Sequence, residues 1–340
     1  MQTKKNLISL ARVFLAIFIA LLIFTAGFLA YLMIGKAEPA EEIIFGVTFS
    51  QPFAIKMGLN WQKTYLAILD DLKVRNLRLV AYWPEIEKQD GEYSSNDLDW
   101  QINEAEKRNA KVILAIGRKL PRWPECHIPG WAGKLSEEEQ QEKVLLLIIE
   151  IIEHYKKSQN IKAWQIENEP FFESFGECPA LDKNFLDQEI ALARNLDNRP
   201  IVITASGELS PWINEAKRAD ILGTTLYRVV WNKYLGNFRY PFPPVFYQKR
   251  ADLIKKFFGL QEIIMVELAV EPWGRTLLYE LPLEEQFQSM NLEEFKKTIQ
   301  YGKETGFKEV YLWGAEWWYW LKTAQGDNAI WDEAKKLWAE

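Results

Sequence analysis

Histidine and cysteine are nearly absent, with two of each among 340 residues. His127 and His154 stand far apart, and with Cys126 and Cys178 they are too few for an ordinary zinc or transition-metal site. No metal is therefore expected. No G-x-G-x-x-G follows a strand and no G-x-x-x-x-G-K-[ST] occurs, so no dinucleotide or nucleotide cofactor is expected either. A basic excess is also missing. The formal net charge of −6 argues against nucleic acid as a partner, because a phosphate-binding surface needs cations in surplus. Low-complexity segments and helical repeats are lacking as well.

Charge is missing altogether from one stretch. Residues 13–34 (VFLAIFIALLIFTAGFLAYLMI) run uncharged and mostly apolar, long enough for a helix to cross a bilayer. A secretory signal has a shorter apolar region, although AEPA at 37–40 offers a possible cleavage site. The expected reading is a single-pass signal anchor. Lys4, Lys5 and Arg12 precede it, whereas Glu38, Glu41 and Glu42 follow, which keeps residues 1–12 cytoplasmic and exports the rest. Residues 35–42 then form a short linker, and 43–340 a domain at the cell membrane facing the extracytoplasmic side. A disulfide between Cys126 and Cys178 is allowed there, with two free thiols as the alternative.

Aromatics are abundant instead. Fifteen tryptophans exceed what a core of this size needs, and indole faces stack on the apolar faces of sugars. Short apolar runs alternate with amphipathic stretches along the chain. Strand candidates are 43–49, 76–83, 111–117, 161–167, 200–206, 221–227, 262–268 and 309–315. Helices are expected between them. The clearest is 137–157, with Ser136 and Glu139 as a capping box; another starts at Ser210 with Pro211 in the first turn. Further helices are expected over 61–75, 98–109, 184–195, 244–258, 283–305 and 329–339. Eight βα units imply an α/β fold, a (β/α)8 TIM barrel, with its site at the C-terminal ends of the strands.

Those ends carry the conspicuous carboxylates. Asn168–Glu169–Pro170 closes the fourth strand and Glu267 the seventh; Glu271, four residues on, is a rival for the second position. Hydrolysis of a glycosidic bond needs two carboxyl groups, one to protonate the leaving oxygen and one to meet the developing positive charge. Glu167 falls on the same side as Glu169 by strand alternation and is expected to pair with a base near the barrel wall. Trp83, Trp123, Trp131, Trp273, Trp317 and Trp318 fall in loops on this face.

WQIENEP (164–170) and IIMVEL (263–268) resemble the strand-four and strand-seven signatures of the clan A glycoside hydrolases, the retaining β-glycosidases that include cellulases, mannanases, xylanases and β-galactosidases. The stretch YWPEIEKQDGEYSSNDLDW (82–100) resembles the pattern that follows their second strand. The resemblance implies Glu169 as acid/base and Glu267 as nucleophile, with Arg78 and Tyr227 keeping Glu267 ionised. It also implies substrate contacts from Arg78, Trp83, Asn168, Tyr227 and Trp313, with Trp313 flooring the sugar subsite. The active-site histidines of the cellulase-like members have no match here. The expected carboxyl separation is about 5–5.5 Å, the retaining distance. A transglycosylase using the same residues, or a non-catalytic membrane-tethered glycan-binding barrel, are the alternatives.

Overall fold

Eight parallel strands close into a barrel in the computed structural model, which describes residues 2–339. They are β1 (Ile44–Thr48), β2 (Asn76–Val80), β3 (Lys111–Ile116), β4 (Ile161–Ile166), β5 (Ile201–Ala205), β6 (Ile221–Leu226), β7 (Glu262–Ala269) and β8 (Glu309–Trp313). Each pairs with its neighbours in sequence, and β1 pairs with β8 to close the ring. All eight fall on the expected runs.

The strands look both ways. One side packs on the helices in the main core, with Trp164, Ile166, Ile263, Met265 and Leu268 among its members. The other side faces the barrel interior, where Ile113, Ala163, Val202, Ile264, Val266 and Tyr311 form a separate apolar cluster. Gly46 on β1 admits the Tyr311 ring; a Cβ there would lie 2.6 Å from it.

The outer helices follow the sequence signals where those are local. Helix Glu137–Tyr155 carries its capping box, with Ser136 Oγ accepting from the Glu139 amide and the Glu139 carboxylate accepting from the Ser136 amide. Such a cap contributes about 1 kcal/mol. Val144, Leu147, Ile148, Ile151, Ile152 and Tyr155 recur at helical spacing and are buried against the barrel. Two expectations need correction. The stretch 283–305 is two helices, Leu283–Ser289 and Leu292–Glu304, because Asn291 caps the second by accepting from the Glu294 amide. Ser210 does not cap a helix; the short helix Ile213–Ala216 starts after Trp212, whose φ is +67°, and Ser210 Oγ donates to Glu215 instead.

Two small antiparallel hairpins were not read from the sequence: Glu87–Gln89 with Glu92–Tyr93, and Val229–Asn232 with Gly236–Arg239. The N-terminal helix Gln2–Met33 contains one segment, Phe14–Met33, long and apolar enough to cross a membrane. The side chains of Lys4 and Lys5 lie outside the described residues. Its C-terminal end docks on the barrel. Leu32 is buried, and Lys249 of helix Pro244–Phe258 donates to the carbonyls of Tyr31 (2.6 Å) and Ile34 (2.7 Å). Residues 35–42 are held too, since Gln248 and the Glu38 backbone exchange two hydrogen bonds.

Candidate active site

Glu267 reaches the barrel interior through an irregularity. Against β6, Met265 pairs with Thr224 but Glu267 pairs with Thr225, so Val266 is an extra residue, a β-bulge. Val266 already faces the interior cluster. Regular alternation would send Glu267 to the outer side, and the bulge turns it back inward. Arg78 on β2 then meets it, with Nη1 2.6 Å from Oε1, and the Tyr227 hydroxyl donates to Oε2 at 2.6 Å. Both oxygens of Glu267 therefore accept bonds that favour its charge.

Arg78 is wholly buried and serves three partners. Its Nε donates to Gln165 (2.7 Å) and its Nη2 to the Asn168 side-chain oxygen (2.7 Å). It makes no pair with Glu167. That carboxylate instead accepts from the backbone amides of Arg118 (2.7 Å) and Lys119. Burial raises its pKa, and it lies against Glu189, an acid rather than a base. The expected basic partner is thus replaced by amide donors, because the backbone leaves the strand at Glu167, where φ is +57°.

Glu169 also sits at positive φ, +42°, with its amide donating to Thr204 (2.7 Å) and its carbonyl accepting from Lys119 Nζ (3.1 Å). Its side chain accepts from Thr225 Oγ1 at 3.0 Å. No cation bonds its carboxyl among the described residues. Burial, with the nearby charge of Glu267 adding to it, holds its pKa well above the ordinary carboxylate range. Two glutamates beside Thr225 thus sit in opposite environments: Glu267 bonds a guanidinium and a phenol, whereas Glu169 bonds no cation among the described residues.

A cleft of about 760 Å³ opens beside them. Tyr227, Glu125, Glu271, Arg122, Trp313 and Trp273 are among its walls, with Trp123, Trp231, Phe175, His127 and Glu85 further round. Glu169 and Glu267 do not line it directly; Glu267 lies one contact further in, behind Tyr227. The rival Glu271 does line it. It accepts from Arg122 and from the indole of Trp313 (2.7 Å), so it belongs to a second cluster with Glu316, which accepts from the Ser50 amide (2.6 Å) and Arg122 Nη2 (3.2 Å).

The tryptophans separate into two groups. Trp123, Trp231, Trp273 and Trp313 line the cleft. Trp83 does not, contrary to expectation: it is wholly buried, its indole donates to Glu87 (2.7 Å), and its ring packs edge-on against Trp131. Trp317 and Trp318 are likewise wholly buried, bonded to Gln286 and the Val270 carbonyl. His154 lies on the outer surface against Asp99, whereas His127 lines the cleft, with burial lowering its pKa to about 4. Cys126 and Cys178 form a disulfide. Sequence reasoning singled out neither Arg122 nor Glu125. Both lie in the irregular loop 117–131, where no periodicity marks a side chain's direction. Gln165, an uncharged polar residue wholly buried in the mostly apolar β4, is the mark that the network around Arg78 leaves in the sequence.

No family model matches the chain, and no curated protein matches it in sequence. Solved structures do match in fold. The β-galactosidase from Rahnella sp. R3 superposes with a TM-score of 0.58 at 12% identity, over 89% of this chain and 57% of that one. A family 10 endo-β-1,4-xylanase from Gloeophyllum trabeum gives 0.53 at 15%, over 81% and 84%. A family 5 protein, GH5_18 from Streptomyces cattleya in complex with GlcNAc, gives 0.55 at 11%, over 81% and 71%. The chain spans little more than half the length of the β-galactosidase it matches. The barrel has the fold of the clan A glycoside hydrolases, as the sequence resemblance implies.

Proposed function

We propose that the protein is a retaining glycoside hydrolase that cleaves β-glycosidic bonds of an extracytoplasmic polysaccharide or oligosaccharide. The observation that carries this reading is the contrast between Glu267 and Glu169. Glu267 accepts from Arg78 and Tyr227, which brace a carboxylate in the place of the nucleophile. Glu169 is buried beside two other carboxyls, keeps its proton, and serves as general acid.

Glu169 donates its proton to the leaving oxygen while Glu267 attacks the anomeric carbon, giving a covalent glycosyl-enzyme. Glu267 loses its negative charge on esterification, and Glu169, having given its proton to the leaving oxygen, is now the base that activates water, so the sugar leaves with retained configuration. Asn168 offers a hydrogen bond to the sugar, and Trp313, with the other cleft tryptophans, supplies apolar surface. The apolar segment Phe14–Met33 would hold the barrel at the membrane, with the cleft outside.

Aryl β-glycosides test the reading. Glu267→Gln is expected to lower kcat/KM by roughly 10³-fold or more for all leaving groups. Glu169→Gln is expected to lose roughly 10²–10⁴-fold on poor leaving groups and much less on those that depart without a proton. The first product detected by NMR is expected to be the β-anomer. Undiminished hydrolysis in both variants, or binding of oligosaccharides without turnover across the panel, would remove the assignment.

A further inference from the structure

We propose that Glu125 is a third carboxyl of the reaction centre, which together with Asn168 binds the oxygen on the sugar carbon next to the one that reacts. The proposal rests on the glycosidase reading and assigns a recognition role within it.

The orientation of Asn168 is fixed. Its side-chain oxygen accepts from Arg78 Nη2, so its Nδ2 must point away from that cation. One Nδ2 hydrogen goes to Glu125 Oε2 at 3.2 Å, and the second is left over. Glu125 Oε1 makes no hydrogen bond among the described residues, although the residue is only 5% exposed and lines the cleft. That oxygen is not sealed in the core but opens on the cleft, where solvent or a ligand can meet it. Oε1 and the spare Asn168 hydrogen belong to the same bonded pair of side chains, and they are the groups of that pair left free for a ligand.

The backbone is bent to keep Glu125 there. Its φ is +71°, a region that costs a residue with a side chain about 1 kcal/mol or more. Its amide donates to the Arg122 carbonyl (2.8 Å) and its carbonyl accepts from Leu120 (2.7 Å), closing a tight loop. Next to it Cys126 bridges to Cys178, and the Glu177 amide bonds the Pro124 carbonyl (2.9 Å). Gly176 lies against it so closely that a Cβ there would come within 2.7 Å of the Glu125 Cβ. A disulfide, a strained turn and a required glycine thus converge on one side chain that faces the cleft.

The chemistry of the pair follows from its protons. Burial and the charge of Glu267 push the Glu125 carboxyl up to about 8, so at neutral pH it is an acid. Oε2 accepts from Asn168, which leaves the proton on Oε1. Asn168 and Glu125 then present two donors to one ligand oxygen. A hydroxyl with two free lone pairs satisfies both; a C–H or C–F at that position satisfies neither as well. Asn168 directly precedes the acid/base Glu169, and its oxygen shares Arg78 with the nucleophile, so the oxygen it meets is the one adjacent to the anomeric carbon.

Paired substrates test this: an aryl β-glycoside with its 2-hydroxyl, and the 2-deoxy analogue of the same sugar, the sugar being chosen from a panel by wild-type turnover. Glu125→Ala is expected to lower kcat/KM roughly 10²-fold on the 2-hydroxy substrate and less than about 3-fold on the 2-deoxy one. Glu125→Gln, which keeps a donor and an acceptor in the same shape, is expected to retain most of the discrimination. Equal losses on both substrates for Glu125→Ala, or full loss of discrimination in the folded Glu125→Gln protein, would overturn the proposal while leaving the hydrolase reading intact. Absence of wild-type turnover on every sugar of the panel would instead remove the hydrolase reading, and this proposal with it.

Discussion

The guanidinium of Arg122 lies over the indole of Trp313, 4.0 Å from the ring centroid, and faces the ring of Phe53 on its other side at 3.6 Å. Trp313 was expected to floor the sugar subsite. One of its faces carries this cation, which is neutralised by Glu271 and Glu316. The floor of the cleft is therefore a layered stack of arginine and tryptophan, stiffer than a lone indole and able to offer N–H donors.

Removing the cation exposes the face and strands two buried acids. Arg122→Ala is expected to lower the unfolding free energy by about 3–5 kcal/mol, read by urea denaturation. Glu271→Gln keeps the shape and is expected to cost far less stability while raising KM, since it alters a group that lines the cleft.

Arg78 ties β2 to β4 and β7 through Gln165 and Glu267. Arg78→Ala leaves Glu267 buried without its cation and Asn168 and Gln165 without their donor. It is expected to reduce stability by about 3–5 kcal/mol and to abolish detectable turnover. Arg78→Lys keeps the charge but supplies no fork, so it is expected to fold better than Arg78→Ala yet remain strongly impaired in kcat.

Stability is expected to fall as pH rises. Glu125 holds its proton up to about 8 in the folded protein, whereas an unfolded glutamate releases it near 4.3. Between those values the folded state binds the extra proton, so each such group lowers stability by about 1.4 kcal/mol per pH unit at most. Glu169, raised in the same direction, adds to the slope. Glu125→Gln removes one contributor. Its denaturation midpoint is expected to match wild type at pH 4 and to exceed it by pH 8.

Reduction of the Cys126–Cys178 disulfide opens a separation of 52 residues and is expected to cost about 2–4 kcal/mol. The loop it pins carries Glu125, so activity is expected to fall with reductant below the temperature of unfolding. Activity that persists unchanged in the reduced, folded protein would show that the loop holds without its crosslink.

The barrel was legible because alternating βα periodicity is a local signal repeated eight times, and each run survived as a strand. Glu169 was legible through its neighbours Asn168 and Pro170. What could not be read was direction. The bulge at Val266 decides which way Glu267 faces, and it shows only against the partner strand. Trp83 looked like a cleft residue from its place after β2, yet the turn carries it into the core, where Glu87 takes its indole hydrogen. Glu125 lay in plain view in RWPEC, but its orientation depends on a glycine 51 positions away, a disulfide and a left-handed turn.

The clasp between the N-terminal helix and the barrel wall has a mechanical meaning. Lys249 holds the last turn of the helix, and Gln248 holds the chain that follows at Glu38. Residues 35–42 therefore act as a bracket rather than a leash. Were Phe14–Met33 seated in a bilayer, the domain would keep one attitude toward the surface instead of swinging through a hemisphere, and the height of its cleft above the lipid would be set by the wall it is fastened to. A glycosidase held in this way would work on whatever glycan passes at that height, trading reach for a fixed angle of approach.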